Sequence, residues 1–395
     1  MSTLQIVSPP AETFAASPAF GAALQAAMLN AEDVDRRGRF PVEALAALRA
    51  AGALGWYVPR ELDGGGASFQ DIAEATFELS RRCAATGMIF AMHQIQVASL
   101  VAHRGDSNWI ANYLRRVVDE QRLIASATSE VGVGGNMRRS LASLEPAGQA
   151  VKFQKKASTI SYGAHADDLL TTVRRSATAD HGDQVLVLTH FSEMESIQMG
   201  EWDTLGMRGT CSPGFAISAT CLSDQVLPVP FATIAAETVV PVSHILWAHV
   251  WLGLATDAFD RAQNFVRLQA RQDPGTTPSA ASKLADLSVS IAQFRTLVKA
   301  ATKEYVRLLD DQDWNHLSTA GYAVGINNLK IAASEAAIEI CGGALRVCGF
   351  LGYKNGGPYS VGRHLRDAHS AALMIANDRL LATNAALLLV HRDSK

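Results

Sequence analysis

The sequence predicts an α+β protein in three blocks: an all-helical N-terminal domain (1–122), a middle β domain (123–235) and a helical C-terminal domain (236–395). Two switches in periodicity carry this prediction. Apolar residues recur at i, i+3 and i+4 in the first block, give way to short β-branched runs in the second, and return to helical spacing in the third. The third observation is composition: 395 residues, 48% hydrophobic and 18% charged, can bury a large core divided among two or three domains.

In the first block Val42, Leu45, Leu48 and Leu54 mark one amphipathic segment, and Ile72, Ala75, Phe77 and Leu79 mark the next. Between them VPRELDGGGAS (58–68) rules out helix continuity, because Pro59 and three consecutive glycines favour a tight loop. In the middle block LIASATS, AVKFQKKAST, DLLTTVR, QVLVLTHF and FAISATCL read as strands of an antiparallel sheet or barrel, with turns at GVGGN, ADHGDQ and CSPG. In the last block WLGLATDAFDRAQNFVRL, SKLADLSVSIAQFRTLVKAA and AALMIANDRLLATNAALLLV carry the helical pattern.

Several function classes are excluded on composition and motif. A net charge of -3 and the absence of any basic run give no field for a nucleic-acid backbone. Five cysteines, at 83, 211, 221, 341 and 348, form no CxxC and no zinc-ligand spacing, so no metal is expected and a reducing compartment fits. The N-terminus has no basic n-region and is broken by Pro9, Pro10 and Pro18, which predicts a cytoplasmic protein without a signal or membrane insertion. GVGG at 132–135 is not a dinucleotide fingerprint, and no P-loop, HExxH or GxSxG is present.

One stretch says more: EWDTLGMRGTCSPGF, residues 201–215. Its W-x-x-L-G-M-R-G-T core, Trp202 to Thr210, resembles the β-domain motif of the acyl-CoA dehydrogenase superfamily of FAD flavoproteins. Further landmarks follow in the same order over nearly the whole chain. GRFPVEALAALRAAGALGWYVPRELDGGGAS resembles the family's entry segment, SATSEVGVGGN (126–136) its TEPGxGSD loop, TISYGAHAD (159–167) its WITNGxxAD turn, and VCGFLGYKNGGPYSVGRHLRDAH (347–369) its GGxGY…RDA ending. The resemblance implies a helical domain, a β-barrel-like domain and a C-terminal four-helix bundle, with FAD held between the last two and a neighbouring subunit of a homotetramer completing the site. The WLGLA-type faces of the C-terminal helices are expected to be exposed and covered by other subunits.

Residue by residue, the resemblance places Ser126, Ser129, Gly134 and Gly135 along the isoalloxazine, with Ser129 standing for a threonine. Thr159, where the family has a tryptophan, and Ser161 pack beside the ring. Arg271 is the candidate for the pyrophosphate across a dimer. Arg346 and Gly349 match the glycine turn of the C-terminal domain, and Asn377 the adenine side. Gly135, Ser243 and Ile375 border the acyl substrate. Trp202 and Met207 read as barrel core, and Arg208 as an ion pair or a cap on backbone carbonyls.

The family's default activity is α,β-dehydrogenation of an acyl thioester, linked to CoA or a carrier protein, with electron-transfer flavoprotein or oxygen as acceptor. It requires a carboxylate aimed at the α carbon. The two positions that carry this glutamate in the family hold Ile375 and Ser243. Three explanations compete. Asp378 or His244, near those positions, replaces the base; the chain is a monooxygenase using reduced flavin and oxygen, with His93 or His369 near the ring; or it is a catalytically silent binder.

Overall fold

The computed structural model describes residues 14–390; Pro9 and Pro10, on which the expectation for the N-terminus partly rests, lie outside them. Five helices come first: α1 (Pro18–Arg37), α2 (Val42–Ala50), α3 (Phe69–Arg82), α4 (Ala84–His103) and α5 (Asn108–Glu120). Local chemistry sets their ends. Ser17, Ser68 and Ser107 each accept a backbone N–H of the first turn, Asp71 completes a capping box with Ser68, and α1 stops at Gly38 in the left-handed region. The glycine-rich segment between α2 and α3 is a loop with two short 3₁₀ turns.

Seven strands follow: β1 (Ile124–Ala127), β2 (Glu145–Ala147), β3 (Ala150–Ala157), β4 (Asp168–Arg174), β5 (Gln184–His190), β6 (Met194–Met199) and β7 (Gly214–Leu222). They form two sheets, β1-β4-β5 and β2-β3-β7-β6. One pairing corrects the sequence expectation of an antiparallel arrangement: β1 lies parallel to β4, with Ile124 opposite Asp168. The excursion from 128 to 167, which carries β2 and β3 in the other sheet, returns the chain to its starting end and so makes the parallel pairing possible. Between the sheets Phe153, Val173, Val185, Val187 and Ala219 form a small core.

The C-terminal region comprises α6 (Phe231–Ile234), a π turn (Ala235–Val239), α7 (Val240–Gln272), α8 (Ala281–Asp310), the short α9 (Trp314–Leu317), α10 (Ala320–Tyr353), α11 (Gly362–His369) and α12 (Asn377–Val390). α7 is the central helix, packed against α3, α4, α8 and α10. The expectation of exposed WLGLA faces is therefore corrected: Trp251, Leu252, Leu254 and Ala255 are all at most 3% exposed, covered within the chain itself. Exposed apolar side chains include Phe350 and Tyr353 at the end of α10, which are 69% and 73% exposed. Three helices are long and apolar enough to cross a membrane, Ala84–His103, Phe231–Gln272 and Ala320–Tyr353; the first two have 89% of their most apolar window buried in the core, which accounts for their composition.

Candidate functional site

A cleft of about 720 Å³ opens where the β domain meets α4, α7, and the turn between α11 and α12. One wall is apolar, made by Met88, Met92, Ile95, Trp247, Leu373 and Met374. The opposite wall is polar, made by the end of β1, the glycine loop that follows it, and Ser158 to Ser161. Volume and lining fall in the range of small-molecule and cofactor sites.

The polar wall is built from the loop's anchorage. Glu130, 6% exposed, accepts hydrogen bonds from the backbone N–H groups of Leu141 and Ala142 and from the Ser140 hydroxyl, and lies 3.6 Å from the buried Lys155 ammonium. This pins the base of the loop inside the β domain. Above it Gly134 and Gly135 take φ of +59° and +75°, a backbone that side chains disfavour, and lie open to the cleft. Ser129 closes the other side: its hydroxyl donates to the Thr159 carbonyl (2.7 Å) and accepts from the Thr159 N–H (3.1 Å). Its proton is thereby committed, so Ser129 stitches two loops and does not supply the donor to a ring that the resemblance assigns to it. Ser126, Thr128 and Ser161 face the cleft with hydroxyls that bond to no described residue.

The stretch 201–215 supplies the third side. Trp202 is half-buried on the cleft, with its indole N–H donating to the Met207 carbonyl, which corrects its assignment to the barrel core. Met207 is 3% exposed, but it packs with the helices. Its N–H donates to Asp367 Oδ1 at 2.6 Å, and burial lifts that carboxyl to about 6 against the pull of Arg363 and of this bond. Gly206 makes the approach possible, since a Cβ there would stand 2.1 Å from the Arg366 carbonyl oxygen. Arg208 donates to the carbonyls of Asp35 and Thr204 and pairs with Asp203. The segment is thus a brace between the β domain and α11.

The turn 370–376 forms the floor. Ile375 lines it with φ of +48°, and Lys330, which is 0% exposed, donates from Nζ to the Ile375 carbonyl (2.9 Å) and to Asn377 Oδ1 (2.8 Å). Burial draws this lysine down to about 8. Asn377 is occupied by Lys330 and Ser334 behind the turn, which corrects its assignment to a ligand.

The two candidate replacement bases do not reach the cleft. His244 is 1% exposed, points Nδ1 at the Ile326 carbonyl (3.3 Å), and is pushed down to about 4 by burial; Asp378 is exposed on the far side of its turn. His93 is structural as well: Nε2 donates to the Leu54 carbonyl and Nδ1 accepts the Ile124 N–H, joining α4 to β1. Of the four, only His369 lines the cleft, as Ser243, Gly135 and Ile375 also do. Arg346 and Gly349 line a separate groove of about 450 Å³ with Gln269, two residues before Arg271, and none of these faces the cleft of the same chain. Gly349 breaks α10 with φ of +56°.

Met88, Met92, Leu205, Lys330 and Arg379 are absent from the sequence assignment. Arg379 stands in the first turn of α12, just after the turn that carries Ile375.

Fold and cleft together define a flavoprotein oxidoreductase: a helical domain, a β domain and a helical bundle enclosing a site with hydroxyl donors and open glycine amides for a flat heterocycle. The chain belongs to the acyl-CoA dehydrogenase family. Family models for the N-terminal and C-terminal acyl-CoA dehydrogenase domains match residues 21–121 and 234–375, more than half of the chain. Its relatives divide between two chemistries. It is 23% identical over 351 residues to "Probable acyl-CoA dehydrogenase YngJ" of Bacillus subtilis, covering 86% of this chain and 87% of that one. It is 22% identical over 339 residues to "Probable FMNH2-dependent monooxygenase SfnC" of Pseudomonas putida, covering 81% of each. Among solved structures it is similar to FMN-bound TdsC from Paenibacillus sp. A11-2, with a TM-score of 0.80, 21% identity, and coverage of 95% and 98%. A flavin is the cofactor of this fold, and the polar wall fits one.

Proposed function

We propose that the protein is a flavin-dependent monooxygenase that inserts one oxygen atom into a small, largely apolar substrate. The observation that carries this is the composition of the cleft: among its described lining residues there is no aspartate or glutamate. Abstraction of a proton α to a thioester needs a base within hydrogen-bond reach of that carbon, and Ile375 and Ser243 cannot provide it. Oxygenation has no such requirement.

When bound and reduced by an external donor, a flavin supplies the two electrons that allow O₂ to be divided between the substrate and a molecule of water. The chain's own residues do the rest. The apolar wall of Met88, Met92, Ile95 and Trp247 seats the substrate and excludes water, which protects reduced oxygen from release as peroxide. His369 is the one imidazole among the cleft's described lining residues, and imidazole is the commonest proton carrier in enzymes; it delivers protons to the departing oxygen. Ser126, Thr128 and Ser161 orient the ring from the opposite wall.

That SfnC and the dibenzothiophene monooxygenases are among its sequence relatives is consistent with this reading, and an aromatic heterocycle is the natural first substrate class to try. We infer that a second copy of the chain covers the exposed end of α10; the exposure of Phe350 and Tyr353 beside the groove of Arg346 and Gly349 supports this.

The test is to supply reduced FMN and ¹⁸O₂ with a panel of aromatic sulfur and nitrogen heterocycles, and to follow products by mass. One ¹⁸O per product is expected, with His369→Phe releasing peroxide instead. Anaerobic bleaching of the bound flavin by an acyl-CoA, without oxygenation of any heterocycle, would return the dehydrogenase assignment.

A further inference from the structure

The charge of the cleft is one-sided. Its described lining holds Arg366, Arg379 and His369 and no carboxylate. The two arginines differ in their surroundings. Arg366 is paired with the Asp35 carboxylate. Arg379 has no carboxylate within 4.0 Å among the described residues, and its one hydrogen bond runs from Nη2 to the Gly134 carbonyl. The remaining guanidinium N–H groups are open at the mouth of the cleft.

Its placement is fixed from behind. Lys330 clamps the Ile375 carbonyl and the Asn377 side chain, α12 begins at Asn377, and Arg379 stands in the first turn of that helix, where the backbone dipole adds positive potential. Facing it, Gly134 has nothing within 4 Å of where a Cβ would stand, and a Cβ on Gly135 would lie 3.8 Å from Arg379 Cζ. The guanidinium thus rests on the glycine loop through this one bond, and its other N–H groups are left for a ligand on the cleft side. Asp378, the neighbouring acid, sits about 100° around the helix and does not line the cleft. A guanidinium presented in a fork to an acid-free, partly apolar cleft is matched by a phosphate or carboxylate.

We propose that Arg379 is the anion anchor of the cleft, holding an oxyanion group of the molecule bound there. The assignment rests on the cleft being the flavin and oxygenation site. Two sources carry the required chemistry, the phosphate monoester of a flavin mononucleotide and an acid group on the oxygenation substrate.

The full-length chain, wild type and Arg379→Met, is stripped of flavin and titrated with oxidised FMN and with riboflavin, which differ only in the phosphate. Benzoate is then titrated into the flavin-loaded proteins. If the phosphate is held, the Met variant binds FMN about 10–100-fold more weakly and riboflavin unchanged, the range expected for losing hydrogen bonds to a charged group. If a substrate acid is held, FMN affinity is unchanged and benzoate binding falls at least about tenfold. In either case Arg379→Lys recovers part of the loss, and added salt weakens the wild type more than the Met variant. Equal weakening of FMN and riboflavin would show that Arg379 only latches the glycine loop, and no change in any affinity would show that no anion sits there; both overturn the anchor. Because only oxidised flavin is used, failure here leaves oxygenation standing, and failure of oxygenation leaves these affinities readable.

Discussion

Replacing His93 by leucine removes a side chain of similar bulk that bridges two parts of the fold. Its Nε2 lies 2.8 Å from the Leu54 carbonyl and its Nδ1 3.1 Å from the Ile124 N–H, on a residue with no solvent exposure. Leucine leaves both backbone groups buried without a partner, at about 1–3 kcal/mol each, so the expected loss is about 2–6 kcal/mol, less a fraction recovered from the more apolar side chain. Glutamine, which offers one donor and one acceptor, is expected to recover part of this. A second readout comes from titration. Burial holds His93 at about 4, below its ordinary 6.5. The unfolded chain therefore binds a proton in that window and the folded one does not. The sign follows: His93's contribution is fully present above about 6.5 and is lost as pH falls through 4, at about 1.4 kcal/mol per pH unit between them. Protonation would also turn Nδ1 into a donor facing the Ile124 N–H. Urea unfolding followed by far-UV circular dichroism from pH 4 to pH 7.5 measures both effects: the leucine variant should be less stable at neutral pH and its stability should fall with acid by one proton less. A variant with wild-type midpoints throughout, but without flavin-dependent activity, would refute the structural role and return His93 to the chemistry.

Gly206→Ala forces a methyl to within 2.1 Å of the Arg366 carbonyl oxygen, so the 201–210 brace must part from α11; the purified variant should hold less than about a tenth of the wild-type flavin, at a cost of at least about 2 kcal/mol. Lys330→Met leaves the Ile375 carbonyl without this donor and Asn377 Oδ1 with only the longer bond from Ser334. Hydrogen exchange at 375–380 should quicken by about tenfold or more while the β-domain amides keep their protection. Asp367→Asn keeps an acceptor for the Met207 N–H but cannot ionise. Because the native carboxyl is raised to about 6 from 3.8, its stabilising share is complete below 3.8 and lost as pH rises through 6, and thermal scans of the Asn variant should lack that decline.

By itself the sequence determined the three-block architecture, because periodicity, caps and glycine breaks are local properties: the Ser68–Asp71 capping box and the alternating burial of Ala150–Ala157 need only their neighbours. The ordered motifs from Gly38 to His369 pointed to the family, and the resemblance puts Ile375 and Ser243 at the positions where the family's base is expected. Only the tertiary structure decided what the side chains do. His93, His244 and His369 are equivalent as letters; burial and bonding make the first a bridge between α4 and β1, neutralise the second against Ile326, and leave the third on the cleft. The same holds for the arginines, since Arg366 is answered by Asp35, 331 residues away in the chain, whereas among the described residues Arg379 donates only to the Gly134 carbonyl. The lack of acid among the cleft's described lining residues is likewise a property of which elements converge on it, from α4 to α12, and Coulomb and desolvation energies depend on distance in space, which spacing along the chain does not encode.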